Sequence, residues 1–177
     1  LIDYSIEELA IDSKRVYVTG FSNGAFMAYT TACFLSNKVA AVAPVAGSLS
    51  PEDYESCDPQ RPLPIIHLHG IDDSAIPIQG GDYITPVQLV KNYWSSFNSC
   101  SENIVVNGED KNGDGYSWFS EISTNCQDGV SVNFTYLENF DHEWPTLESN
   151  KGSGADIDGA SFIWEFLSIY DINGLIN

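Results

Sequence analysis

Basic side chains are scarce in this chain. Seven lysines and arginines face 25 aspartates and glutamates over 177 residues, giving a net charge of −18. Nucleic acid and anionic membrane surfaces would repel such a balance, so neither is expected as a partner. A solvated acidic surface explains the charge. Long apolar runs are lacking too: 43% of the residues are hydrophobic, yet no run approaches the ~18 needed to span a bilayer. Leu1-Ile2-Asp3-Tyr4 has neither the basic start nor the apolar stretch of a signal peptide. Internal repeats and low-complexity tails are absent.

Cysteine and histidine are few. The four cysteines, Cys33, Cys57, Cys100 and Cys126, form no Cys-x-x-Cys pair and have no zinc-like spacing with the three histidines, so no metal site is expected among them. An even number in a lysine-poor domain instead suggests two disulfides and an oxidising, secreted or periplasmic setting. The expected pairs are Cys100 with Cys126, across the hairpin between them, and Cys33 with Cys57. Four buried, reduced thiols are the alternative.

What is present alternates between strand-like and helix-like segments, which implies one α/β domain with a mostly parallel sheet flanked by helices. Residues 2–10 fit a short amphipathic helix, and 16–19 a strand buried on both faces. A helix is expected to about residue 36, a second strand over 39–45, a loop from 46, and a third strand over 64–69. Thr85 reads as the cap and Pro86 as the first residue of an amphipathic helix reaching 97. A hairpin insertion falls at about 101–129, a fourth strand at 130–137 and a closing helix at 160–170.

The chemistry concentrates where the first strand ends. Gly20-Phe21-Ser22-Asn23-Gly24 is a Gly-x-Ser-x-Gly pentapeptide between a strand and a helix, the setting of a nucleophile elbow. Such a turn strains the serine, so Gly20 and Gly24 are expected to leave room for strand and helix to approach. The amide of Asn23 then lies at a helix N-terminus, where an oxyanion would sit. A serine hydroxyl needs a base, and the base a group to orient it. His142 is the expected base, lying in a loop late in the chain, which gives the order serine, acid, histidine. His67 and His69 sit inside an apolar strand and read as satisfied structural histidines. The acid is Asp72 or Asp73, adjacent carboxylates beyond the third strand that point in different directions. Asp141 is too near His142 in sequence to face it.

These residues resemble the α/β-hydrolase esterases of the polyhydroxybutyrate depolymerase and feruloyl/acetyl-xylan esterase type. The matching stretches are residues 14–24, 41–47 and 61–70, with Asp73-Ser74-Ala75-Ile76-Pro77, His142-Glu143-Trp144-Pro145 and the segment 160–167. The resemblance implies an α/β-hydrolase fold and a serine esterase with a triad of Ser22, Asp73 and His142. It also implies Asn23 as one oxyanion donor, Trp144 shaping the pocket beside the histidine, a small ester as substrate and no required cofactor. The family's glycine-rich segment before the histidine is here Glu138-Asn139-Phe140-Asp141, a departure that bears on the acyl pocket and leaves the triad in place. Family members carry several strands before the elbow, one loop of which donates the second oxyanion amide, whereas this chain begins fifteen residues before Val16. The expectation is a sheet truncated at its N-terminal side, with the elbow strand as an edge that pairs two copies into a homodimer.

Two further readings remain open. A serine peptidase on the same fold is one alternative function, and a non-catalytic binding module keeping the triad as a relic is another. Separately, residues 110–121 match a twelve-position calcium loop, with Asp110, Asn112, Asp114 and Glu121 as oxygen ligands. Their flanks read as strands, so a hairpin turn is favoured over a structural calcium ion.

Overall fold

The computed structural model describes residues 1–111, 113–147 and 155–176. Their elements follow in the order α1 (Ile2–Leu9), β1 (Tyr17–Phe21), α2 (Asn23–Phe34), β2 (Ala41–Val45), α3 (Pro51–Ser56) and β3 (Ile65–Gly70). Then come α4 (Val87–Phe97), β4 (Glu102–Asn107), β5 (Trp118–Thr124), β6 (Val132–Leu137), α5 (Gly159–Leu167) and a small ribbon of β7 (Tyr170–Asp171) and β8 (Gly174–Leu175). Six strands make one sheet in the order β1-β2-β3-β6-β5-β4. The first four run parallel, and β5 and β4 continue antiparallel. The hairpin that the sequence suggested as an insertion therefore extends the main sheet.

Burial follows the strand period of two. On β3, Ile66 and Leu68 face one apolar cluster, which α5 closes with Ile163 and Leu167. Ile65 faces the other cluster, closed by Tyr29, Ala32 and Cys33 of α2 and by Val87, Val90 and Trp94 of α4. Helices on both faces leave β2, β3 and β6 buried at every position, as parallel central strands require. All four parallel strands then end on the same side, and the loops carrying Ser22, Asp73 and His142 emerge together there.

Two disulfides staple this frame, Cys33–Cys57 from α2 to the end of α3 and Cys100–Cys126 at the base of the β4–β5 hairpin. These are the expected pairs. Each closes a loop of 24 or 26 residues, which in the chain-entropy account stabilises the fold by about 3 kcal/mol.

Three expectations need correction. The strand expected to be buried on both faces is only partly buried, with Thr19 exposed, because among the described residues β1 lies at the edge of the sheet, where the family resemblance placed it. Its apolar run reports local composition, and edge position is set by the topology. Helix α3 falls where a loop was expected, and its cap signals are plain, because the Ser50 side chain accepts from the Asp53 amide and Pro51 occupies the first turn. The helix after residue 86 starts one residue late, since Pro86 keeps extended backbone (ψ 131°) and serves as its cap residue.

Thr85 consequently caps nothing. It is 4% exposed, and its Oγ1 is buried with no partner among the described residues. Its backbone amide still donates to the Leu49 carbonyl. A buried hydroxyl without a partner costs free energy that an isosteric methyl avoids. Thr85→Val is therefore expected to raise unfolding stability by about 1 kcal/mol, measured by urea titration; a lower midpoint would contradict the unpaired hydroxyl.

Candidate active site

Ser22 stands between β1 and α2 with φ 55° and ψ −116°. Such a conformation costs a non-glycine residue about 1–3 kcal/mol and persists only where its surroundings enforce it. Two backbone bonds do so here: the Ser22 amide donates to Val45 at the end of β2, and its carbonyl accepts from Ala25. The turn is tight enough that a Cβ on Gly20 would lie 2.5 Å from the carbonyl carbon of Gly24. Gly24 itself has open space around its missing Cβ, so of the two glycines expected to be crowded only Gly20 is. Asn23 is exposed as the first residue of α2, and its amide precedes the first intrahelical bond.

The loop after β6 brings His142 over. Its path crosses Gly70 so closely that a Cβ there would overlap the Phe140 carbonyl and lie 2.7 Å from that of Asp141. The two loops are zipped together: Asp72 donates its amide to Phe140 (3.1 Å), and Asp141 accepts from the amide and hydroxyl of Ser74 at 2.8 and 2.9 Å. Asp141 thus ties the two loops together. His142 Nε2 lies 2.9 Å from Ser22 Oγ, and Nδ1 lies 2.8 Å from Asp73 Oδ2. Phe21 packs its ring on the imidazole, with centroids 4.7 Å apart.

Of the two adjacent carboxylates, Asp72 is exposed, while the Asp73 side chain is buried against His142. Asp73 Oδ1 accepts the amides of Ala75 (3.0 Å) and Ile76 (2.7 Å). Oδ2 meets His142 and, at 3.2 Å, His69 Nε2. Burial pushes this carboxyl up. The hydrogen bonds from His69, the Ile76 amide and His142 outweigh it and hold the group down at about 2.

Of the other expected positions, Asp110 and Asp114 stay together, their carboxylates lying within 4.8 Å of each other and of Asp156. Trp144 is half buried and packs against the apolar cluster under α5. In the loop before β5, Asp110 accepts backbone amides from Gly113, Asp114 and Gly115, as a turn residue does. Glu121, the twelfth position of the calcium pattern, lies within β5 and pairs with Lys91 of α4; Asn112 falls outside the described residues. The twelve-position ligand set is therefore not assembled. A cavity of about 470 Å³ between Trp118, Phe162 and Asp156 has none of Ser22, Asp73 and His142 in its lining. Two contributors escaped the sequence reading. Phe21 was visible only as a variable position of the pentapeptide, and Gly70 as the glycine ending a strand.

A mostly parallel sheet flanked by helices, with a strained serine at one strand's carboxyl end, defines an α/β-hydrolase. The chain belongs to the phospholipase/carboxylesterase family, whose profile matches residues 1–108. It is 31% identical to a bifunctional acetylxylan esterase/xylanase of Neocallimastix patriciarum, over 100% of this chain and 23% of that protein. It is 29% identical to feruloyl esterase B of Piromyces equi, over 92% of this chain and 28% of that protein. The chain thus spans about a quarter of the length of these relatives. Among solved structures, an acetyl xylan esterase from Aspergillus awamori superposes with a TM-score of 0.61 at 15% identity, covering 94% of this chain and 64% of that one. No helix among the described residues is long and apolar enough to cross a membrane.

The depressed Asp73 carboxyl has a consequence for acid stability. Its folded value lies below the ordinary 3.8, so its stabilisation is complete above the unfolded value and is lost as pH falls toward about 2. A depression from 3.8 to about 2 corresponds to about 2 kcal/mol. The stability gap between wild type and Asp73→Asn should therefore narrow by about that amount between pH 5 and pH 2, read by urea unfolding. A gap independent of pH would contradict the assignment.

Proposed function

We propose that the chain carries the nucleophile, base and acid of a serine carboxylesterase. The observation that supports it most is the continuous hydrogen-bonded set from Ser22 Oγ through His142 to buried Asp73. With its Nδ1 proton donated to Asp73, His142 presents an unprotonated Nε2 to the serine hydroxyl. Ser22 Oγ gives that proton to Nε2 and bonds to the ester carbonyl carbon. The resulting oxyanion is met by the Asn23 amide and the positive end of α2. Collapse expels the alcohol oxygen, which takes the proton from Nε2, and leaves an acyl-serine. Water attacks next, giving a proton to Nε2 that returns to Ser22 as the carboxylic acid departs. Asp73 stays ionised throughout, fixing the imidazole tautomer and stabilising the imidazolium.

The relatives named for acetylxylan and feruloyl esters suggest the substrate class: acetyl or feruloyl groups esterified to plant polysaccharide. Two disulfides fit an oxidising, extracellular setting for such work. Hydrolysis of p-nitrophenyl acetate and butyrate by wild type, Ser22→Ala and His142→Ala tests the reading. Each variant is expected to fall by at least about 10³-fold in kcat, since triad members act as a unit. Equal, background-level rates in all three proteins would overturn it.

A further inference from the structure

Two histidines are buried in the middle strand of the sheet, beside the acid. His67 and His69 lie two apart on β3, so both project from the same face, and they are 0% and 1% exposed. A buried imidazole in an apolar layer costs free energy unless both ring nitrogens are satisfied. All four nitrogens are satisfied here, and in series. The Tyr29 hydroxyl of α2 lies 2.8 Å from His67 Nδ1; His67 Nε2 lies 3.0 Å from His69 Nδ1; His69 Nε2 lies 2.8 Å from the Ile76 carbonyl.

The last partner fixes every proton in the series. A carbonyl only accepts, so a neutral His69 ring carries its proton on Nε2 and has Nδ1 as an acceptor. His67 must then donate from Nε2, which leaves its Nδ1 to accept from Tyr29 O–H. Burial keeps His67 neutral by pushing its pKa well below the usual value, and burial also keeps Tyr29 protonated.

The series ends on the catalytic acid. His69 Nε2–H is directed at the Ile76 carbonyl, and the same nitrogen lies 3.2 Å from Asp73 Oδ2. The amide of the same Ile76 donates to Asp73 Oδ1. His69 thereby holds both the carboxylate and the turn that wraps it, while Tyr29 anchors the series on the helix that begins at the nucleophile.

We propose that His69 is a positioning residue for Asp73. Its Nε2–H tautomer, set by the Ile76 carbonyl, keeps the carboxylate aligned with His142 Nδ1. The assignment rests on the triad reading above and reaches the reaction only through Asp73. An apolar residue would fill the same space on β3 without restraining the acid, and that difference is measurable.

Two measurements test it. Only three histidines are present, so the ring nitrogens of the intact protein can be assigned by ¹⁵N NMR at pH 7.5. The expected pattern is Nε2–H for His67 and His69 and Nδ1–H for His142; an Nδ1–H tautomer at His69 overturns the proposal. The second is hydrolysis of p-nitrophenyl acetate by His69→Leu and His69→Gln, each in wild-type and Asp73→Asn backgrounds. His69→Leu should lower kcat about tenfold with KM changed less than about twofold, because only alignment in the transition state is lost. His69→Gln, which keeps an N–H for the Ile76 carbonyl, should recover most of that loss. In Asp73→Asn neither change should slow the reaction further, since residues acting through one group are not additive. Multiplying losses, or glutamine no better than leucine, would overturn the role. If Ser22→Ala retains wild-type activity, the esterase reading fails while the ring tautomers still decide the contact. His69→Gln and the wild-type spectrum keep the test intact should His69→Leu not fold.

Discussion

A single buried carboxylate organises this end of the molecule. An ionised group removed from water is tolerated only when its oxygens are paired and hydrogen-bonded, and Asp73 is served by two backbone amides and two imidazoles. Each donor imposes a local shape. The amides require the turn after β3 to fold back on the side chain. His142 requires the loop after β6 to cross Gly70, and His69 requires a polar position inside a strand that is otherwise apolar. The satisfied charge is thus the reason three separate segments meet.

Strain at the neighbouring serine is the second constraint, and it depends on the sheet. Ser22 holds its left-handed backbone because β2 accepts its amide and α2 draws on its carbonyl. Relaxing that turn would carry the hydroxyl away from His142. The stable part of the fold, with helices on both faces of a parallel sheet and two disulfides tying α2 and the hairpin, counterbalances this stored cost. Precision of the site is in this sense a property of the core beneath it.

Much of this was legible in the sequence because it is local. The pentapeptide after a β-branched run marks the elbow, and alternating strand and helix patterns give the parallel sheet. An even cysteine count with suitable spacing anticipates both disulfides. What was not legible depends on contacts between distant segments. Adjacent Asp72 and Asp73 carry the same composition, and residues alone left both open until the family resemblance selected one. The apolar run of β1 looks the same at the centre or the edge of a sheet, and only the family resemblance placed it at the edge. His67 and His69 were rightly read as satisfied, but their partners Tyr29 and Ile76 come from elsewhere in the fold. The twelve-position calcium pattern shows the converse: its spacing is right, yet a strand carries Glu121 away to Lys91 while Asp110 and Asp114 stay together.

Whether Ser22 is an activated nucleophile is read from its modification by a fluorophosphonate, located by mass spectrometry. One equivalent of label is expected on the peptide containing Ser22, added more slowly in Asp73→Asn because the imidazole is no longer held. No labelling, or label distributed over other serines at the same rate in both proteins, would contradict it.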